Sequence, residues 1–476
     1  MKRSLLPTLL LSAPFACTVL AQQSSPPPDP TPQTQPAAEK PTESSPPESA
    51  ATAGADATTS SSVPQLDTDQ QFKFGIPDIS LPGGGQKGDV GLSPGDTPTA
   101  AIDEMYDIGI ARRGLFHLPA AEAPIDNLVK ALRRLEDRTG LRLNFAYTML
   151  FQQATGGAGQ RNGGAGDIDF MAAWTLLGRG TQNTGTLVFT TEYRFQIGEQ
   201  PPSFLGRELG TLTNTTGAFN DRGWVVRDAY WLQRLLDGKV RFLVGRADIS
   251  DFIGGMRMQN VNNSFLNRAF SANAAVAYPA GHGPAAGLSI VPNDFFYATA
   301  GVQNGYSTST TFGMNSLDEG DFFYAAEAGI TPMIESLGRG RYRVMYWYMD
   351  ARPELNSPSD QGISIIADQD IGDRVLVFAR YGHSDADITN IQNMGQVGVG
   401  VRGLLGSSDD FSGLAASYAE PPGQGARDEK VVEIFHRFQL TMRTQFTVGA
   451  QLILDPSNAP NDDALGVFSF RFRFDF

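Results

Sequence analysis

The sequence predicts an all-β membrane protein: an antiparallel outer-membrane β-barrel of about sixteen strands, with a short N-terminal helix and a disordered Pro/Ser/Thr-rich N-terminal segment. Three observations carry that expectation. Beyond Gly140, apolar and polar residues alternate with period 2 in one segment after another. The connections between those segments alternate between short and long. The chain ends on Phe468, Phe470, Phe472, Phe474 and Phe476, interleaved with Ser469, Arg471, Arg473 and Asp475.

Composition agrees and excludes several classes. Of 476 residues, 52 are Gly and 30 are Phe, and the charged share is 18%. A formal charge of −14 and only four His argue against a nucleic-acid binder and a His-ligated metalloenzyme. The single Cys, Cys17, excludes a disulfide framework and a Cys-based zinc site. No cofactor is implied. Past the first 25 residues no apolar run approaches the ~18 that a membrane helix needs, whereas barrel strands never look hydrophobic in a window average.

From the N-terminus, Lys2 and Arg3 precede an apolar run from Leu5 to Leu20, and Val19-Leu20-Ala21 offers a cleavage site before Gln22. Residues 1–21 therefore read as a secretory signal peptide, whose removal leaves a thiol-free chain suited to an oxidising exterior. Residues 22–98 are Pro, Ser, Thr, Ala and Gly with few large apolar side chains. They cannot bury enough surface to offset their ordering entropy and read as a disordered linker. The segment 99–140 carries a helix from Ala123 to Thr139, with Ile125, Leu128, Leu132 and Leu135 on one face, Lys130, Arg133, Arg134 and Arg138 elsewhere, and Gly140 as its stop. Such a stripe fits a packed surface helix.

Residues 141–476 form the barrel domain. Strands are expected to begin near 141, 166, 185, 223, 238, 285, 294, 321, 339, 362, 372, 395, 410, 430, 443 and 464, the phase staying open at 223–235 and 285–291. Short turns fall at Asp237-Gly238, Pro292-Asn293, Ile371-Gly372, Ser407-Ser408-Asp409 and Met442-Arg443, with long loops between. Short turns at one end and long loops at the other distinguish a membrane barrel from a soluble sandwich. The terminal Phe476 closes the sheet against the first strand and leaves no unpaired edge in lipid. It also resembles the C-terminal signal read by the barrel assembly machinery.

A barrel of this size leaves an aqueous lumen. Its expected inward face carries Glu192, Arg194, Gln196, Arg341, Arg343, Trp347, Arg380, Arg402, Glu433, Phe435, Arg437, Gln439, Arg471 and Arg473. Residues 141–476 hold 24 Arg but only two Lys, Lys239 and Lys430. Guanidinium presents a planar fork of donors that suits vicinal hydroxyls as well as carboxylates, and Trp347 or Phe435 could stack on a sugar ring. The competing account is that inward Arg and Glu merely pair across strands and stiffen the wall.

Over about residues 125–476 the chain resembles the carbohydrate-selective OprB-type porins. The resemblance rests on Gly238–Arg246 (GKVRFLVGR) followed by Ala247–Phe252 (ADISDF), on Val431–Thr441 (VVEIFHRFQLT), on Gln451–Pro456 (QLILDP) and on the terminal strand. Gly156-Gly157 and the preceding helix are similar to the family's N-terminal portion. The long tail is not part of the family pattern, and His436 stands on a lipid-assigned face where Tyr is common. The family implies a sixteen-stranded pore admitting glucose and other sugars by diffusion.

Catalytic chemistry is not visible. His117 precedes the helix, and His282 and His383 lie in long loops; a barrel phospholipase with a Ser/His pair that uses His436 on the outer face stays open as an alternative, but no Ser sits in a recognisable constellation. The Gly-rich stretch 156–166 lacks the ending of a phosphate loop. Acidic pairs such as Asp318-Glu319 and Asp409-Asp410 fit solvated turns better than Ca²⁺ sites.

The expected function is passive diffusion of small hydrophilic solutes, monosaccharides preferred, across the outer membrane of a Gram-negative cell. Outer-membrane lipid surrounds the barrel, and monomer and homotrimer both stay open. The rival is an anchoring barrel whose tail ties it to the cell wall or a partner. Ser250–Gly283, the third external loop, is expected to fold inward as the constriction. Asp248, Asp251, Arg257 and its Asn residues would face Arg194, Arg343, Arg380, Glu433 and Arg437 across the lumen.

Overall fold

The computed structural model describes Glu104, Met105, Ile108 and residues 112–476, apart from Ala158, Gly406 and Gln424. The signal-peptide and linker expectations over 1–98 lie outside the described residues.

Every expected strand is present. In chain order they are β1 Leu141–Ala154, β2 Asn162–Leu177, β3 Gly185–Ile197, β4 Gly223–Leu235, β5 Val240–Ala247 and β6 Gly283–Ile290. Then come β7 Phe296–Asn304, β8 Phe322–Ile330, the two-residue β9 Met333–Ile334, β10 Gly338–Met349, β11 Asp360–Ile371 and β12 Val375–Ser384. The last are β13 Asn393–Arg402, β14 Phe411–Glu420, β15 Glu429–Gln439, β16 Thr444–Leu454 and β17 Ala464–Asp475. β9 is a small excursion in the turn between β8 and β10, so sixteen strands build the wall. Each pairs antiparallel with its sequence neighbours, and β17 pairs with β1 from Ala146↔Asp475 to Ala154↔Val467. Phe145 and Phe476 exchange backbone hydrogen bonds of 2.9 and 3.0 Å, which seals the ring at the last residue.

The period-2 pattern translates directly into faces. On β17, Phe468 and Phe470 point outward and stay exposed, while Ser469, Arg471, Arg473 and Asp475 point inward and are buried. The two segments of open phase have physical explanations. The register of β3 and β4 slips between Thr190 and Thr191, so that Thr190 faces Asp228, Thr191 faces Val226, and Arg227 is the extra residue of a bulge. On β6 the inward residues are Gly283, Ala285, Gly287 and Ser289, too small to register in an apolar count.

The helix runs Pro119–Thr139, four residues longer at its start than the pattern indicates. Gly140 takes the left-handed conformation (φ 76°) that ends it, and its N–H returns to Glu136 at 2.7 Å. Its end is tied to the barrel by Arg142–Glu136 (2.7 Å), Trp174 Nε1 to Thr139 O (3.1 Å) and Arg179 to Arg138 O (3.0 Å). Among the described residues no helix is long and apolar enough to cross a membrane.

Candidate functional site

The chain between β5 and β6 folds into the barrel. Ile249, Met256, Phe265 and Phe270 within it have no solvent exposure. Buried loop backbone must find partners, and here the wall supplies them. Glu433 accepts the N–H groups of Leu266 (2.7 Å) and Asn267 (2.9 Å). Arg471 donates to Val261 O (2.5 Å) and Ser264 O (2.9 Å), Arg437 to Asn263 O (3.0 Å), and Arg380 to Ala272 O. Glu327 accepts from Gly254 N at 3.0 Å and Gln303 from Ile249 N at 2.8 Å. Small wall residues let the loop close in: a methyl at Gly400 would stand 2.5 Å from Met258 Sδ.

This seating gives several expected lumen residues a different role. Glu433, Arg380 and Arg437 do not face the loop across open space; they hold it. Phe435 packs edge-on against Phe265, centroids 5.0 Å apart, instead of presenting a free stacking face. Trp347 is fully buried and stacks near Phe323 at 6.2 Å. Arg257 reaches the wall at Asp368 (3.3 Å) and Asp370 (2.9 Å), and Asp368 also takes Arg341 (3.3 Å) and Arg343 (3.1 Å). Three guanidinium groups on one buried carboxylate tie loop and wall into one charged unit. Breaking such a network by removing one partner costs about 3–5 kcal/mol.

On the opposite wall three arginines keep some solvent contact, while the carboxylates Asp167, Glu192 and Asp169 are buried. Arg194 bonds Asp167 at 3.1 Å and also Glu192, and Glu192 takes Arg222 as well. The side chains of Arg194, Arg222 and Arg227 are each 13% exposed, against 1% for Arg343. Asp169, between them, has a buried Oδ2 with no hydrogen-bond partner among the described residues. The β4 bulge aims Arg227 at the folded-in loop, where it meets Asp251 (3.1 Å), His282 Nε2 (3.2 Å) and its neighbour Asp228 (3.6 Å). Ligand atoms of Asp228, Asp251 and His282 lie within 4.8 Å of one another, and Arg227 supplies the positive charge there. Within the loop, burial pushes the Asp251 carboxyl up to about 8, a rise that Arg227 opposes and Asp248 and Asp228 reinforce. Burial and the surrounding Arg side chains hold His282 well below its usual value, hence neutral.

Sequence reasoning brought Glu192, Arg194, Asp251, Arg257 and Arg343 forward but missed Arg222, Arg227, Asp368 and Glu104. It also missed that residues 198–222 turn inward, where Leu212 N and Thr213 N bond Glu429 (2.5 and 2.8 Å) and Thr215 bonds Gln152 (2.8 Å). Glu104 stands inside the barrel with its Oε1 2.7 Å from Arg473. A cue existed in the sequence: the apolar residues Met105, Ile108 and Ile110 follow closely on a polar, low-complexity tail.

Ser412 and His436 are a directly opposed cross-strand pair on the outer face, with Ser412 Oγ 2.8 Å from His436 Nδ1. No constellation is recognisable in the sequence because the two residues stand 24 positions apart and meet only across the β14–β15 ladder. The pair satisfies His436 Nδ1 alone; Nε2 is buried without a hydrogen-bond partner among the described residues and lies 3.8 Å from Asp410 Oδ2. Ser412 is flanked by paired strands on both sides, so nearby N–H groups belong to the ladder and are not free to stabilise an oxyanion.

A family model described as "Carbohydrate-selective porin, OprB family" matches residues 173–476. The high-pH structure of Pseudomonas putida OprB is similar at TM-score 0.61 with 16% identity, covering 72% of this chain and 96% of that one. The low-pH structure of the same protein gives 0.44 at 15% identity, covering 72% and 95%. A mutant of the Rh. blastica porin gives 0.45 at 10%, covering 71% and 100%. No curated protein sequence matches the chain.

Proposed function

Because the chain belongs to the carbohydrate-selective porins of the OprB family, we propose that monosaccharides cross it by diffusion between the folded-in loop and the β2–β4 wall. Family and barrel make it a sugar-selective outer-membrane porin, a channel rather than an enzyme. The observation that supports the path is the contrast in access. Arg194, Arg222 and Arg227 retain solvent contact, whereas wall groups under the loop such as Arg343 do not. Glu192 and Asp167 orient those guanidinium forks, and Asp169 offers an acceptor to a sugar hydroxyl.

Deleting residues 256–268 tests this reading by single-channel recording in planar bilayers. Conductance should rise and block by glucose should weaken, since that stretch contributes Phe265 and the Glu433-bound backbone. Wild-type values for both would remove the loop from the path.

The same reading assigns 1–21 to export and the β17 strand ending at Phe476 to recognition by the assembly machinery. It extends to a homotrimer, for which Ala367, Ala379, Gly395 and Ala416, set among Ile365, Tyr381, Val397 and Tyr418, offer a concave lipid-facing patch. A monomer alone by native mass spectrometry in mild detergent would count against that assembly.

A further inference from the structure

Glu104 lies outside the residues that the family model matches, yet its side chain is inside the barrel and 3% exposed. Its Oε1 accepts from Arg473 Nη2 at 2.7 Å and lies 3.5 Å from Asn262 Nδ2, and its Oε2 stands 3.9 Å from Arg227 Nη1. These donors come from three separate places: the closing strand, the folded-in loop and the β4 bulge. Other partners hold the two guanidinium groups in position. Arg473 bonds Thr148 Oγ1 (3.0 Å) and Asp475 (3.3 Å), and Arg227 bonds Asp251 (3.1 Å) and His282 (3.2 Å). Two oriented forks and an amide converging on one carboxylate form a receptor organised before its ligand arrives. Met105 and Ile108, buried beside Ala146, Met171 and Val188, seat the occupant.

We infer that the lumen holds a carboxylate-binding site made by Arg227, Asn262 and Arg473, which the chain's own Glu104 occupies and for which a carboxylated sugar competes. The inference rests on the sugar-channel reading for the polyol part of the ligand. The chemistry around the site supports that part. Asp169, within electrostatic reach of Glu104, has an unpartnered buried oxygen that accepts from a hydroxyl. A bare anion has no hydroxyl to offer Asp169. A neutral sugar can use Asp169 but has no group to replace the Glu104 carboxylate on two arginines. An aldonate or uronate satisfies both.

Isothermal titration of the full chain in detergent with gluconate, glucose and inorganic phosphate tests the site by binding, independently of whether the pore conducts. In Glu104→Ala the internal competitor is gone, so the affinity ratio of gluconate to glucose should rise by about ten-fold or more, as expected when a mostly occupied site is vacated. Adding Arg473→Gln, or Asn262→Ala should that barrel fail to assemble, should return the ratio to its starting value. A ratio unchanged in Glu104→Ala overturns the inference, as does a gain that survives the second substitution. Phosphate binding as tightly as gluconate overturns the sugar-acid assignment. Absence of conductance in bilayers would strike the channel reading and leave the titration result standing.

Discussion

The Glu433 carboxylate accepts the backbone N–H of Asn267 at 2.9 Å while also taking that of Leu266 at 2.7 Å. One wall side chain thus does for a loop what a capping residue does for the first turn of a helix. Replacing Glu433 with Ala leaves two buried donors without that partner, a cost of about 2–6 kcal/mol by the usual penalty for unsatisfied groups. The expected outcome is a lower thermal unfolding midpoint together with noisier, larger single-channel currents. Glu433→Gln, whose amide oxygen can still accept, should fall between. A melting point and current trace identical to wild type in the Ala variant would show that the loop is seated without it.

Asp251 makes stability depend on pH in a defined direction. Its carboxyl is pushed from the ordinary carboxylate range near 3.8 up to about 8 in the folded protein by burial. Between those values the folded chain keeps a proton that the unfolded chain has lost. The contribution is therefore complete below about pH 4 and disappears as pH rises through about 8. Melting points should fall from pH 5 to pH 9, and Asp251→Asn should flatten that slope. An equal slope in the variant would transfer the effect to other groups.

Removing Phe476 should lower the amount of assembled barrel at the cell surface. The residue gives and accepts a backbone hydrogen bond with Phe145, and the two rings stack at 5.4 Å. Heat-modifiable migration on gels separates assembled from unassembled protein, and unchanged assembly would count against the terminal strand as a closing signal.

Deleting residues 22–98 while keeping the signal peptide should leave insertion and conductance as they are. The deleted stretch is too poor in large apolar residues to contribute to a core. Failure to assemble would show that the tail is more than a linker.

The wall was readable from sequence because each strand has one face in lipid and one facing the lumen, which writes period 2 into residues such as Phe468 to Phe476. Roles within the lumen were not, since alternation says that Glu433, Arg380 and Arg437 point inward but not what they meet there. Their partners are loop carbonyls and N–H groups more than a hundred residues away, which carry no side-chain signature at all. Arg227 was hidden for a different reason: a bulge breaks the alternation at the residue it re-aims. Where the loop needed room, the wall became Gly and Ala, as on β6, and the pattern faded there too.

The bond between Arg473 and Thr148 joins residues 325 positions apart, and the β1–β17 seam pairs residues from Ala146↔Asp475 to Ala154↔Val467, all comparably distant in the chain. Until the last strand exists, every intermediate is an open sheet with two unpaired edges. Closing so long a loop has a large entropic cost, recovered only when the seam zips along its full length. Once closed, no strand can leave without exposing backbone on both its sides, so opening must cross nearly the same barrier. The chain should therefore show strong hysteresis, with denaturant unfolding and refolding curves far apart on laboratory timescales. Its persistence in the membrane is then governed by a rate as much as by an equilibrium.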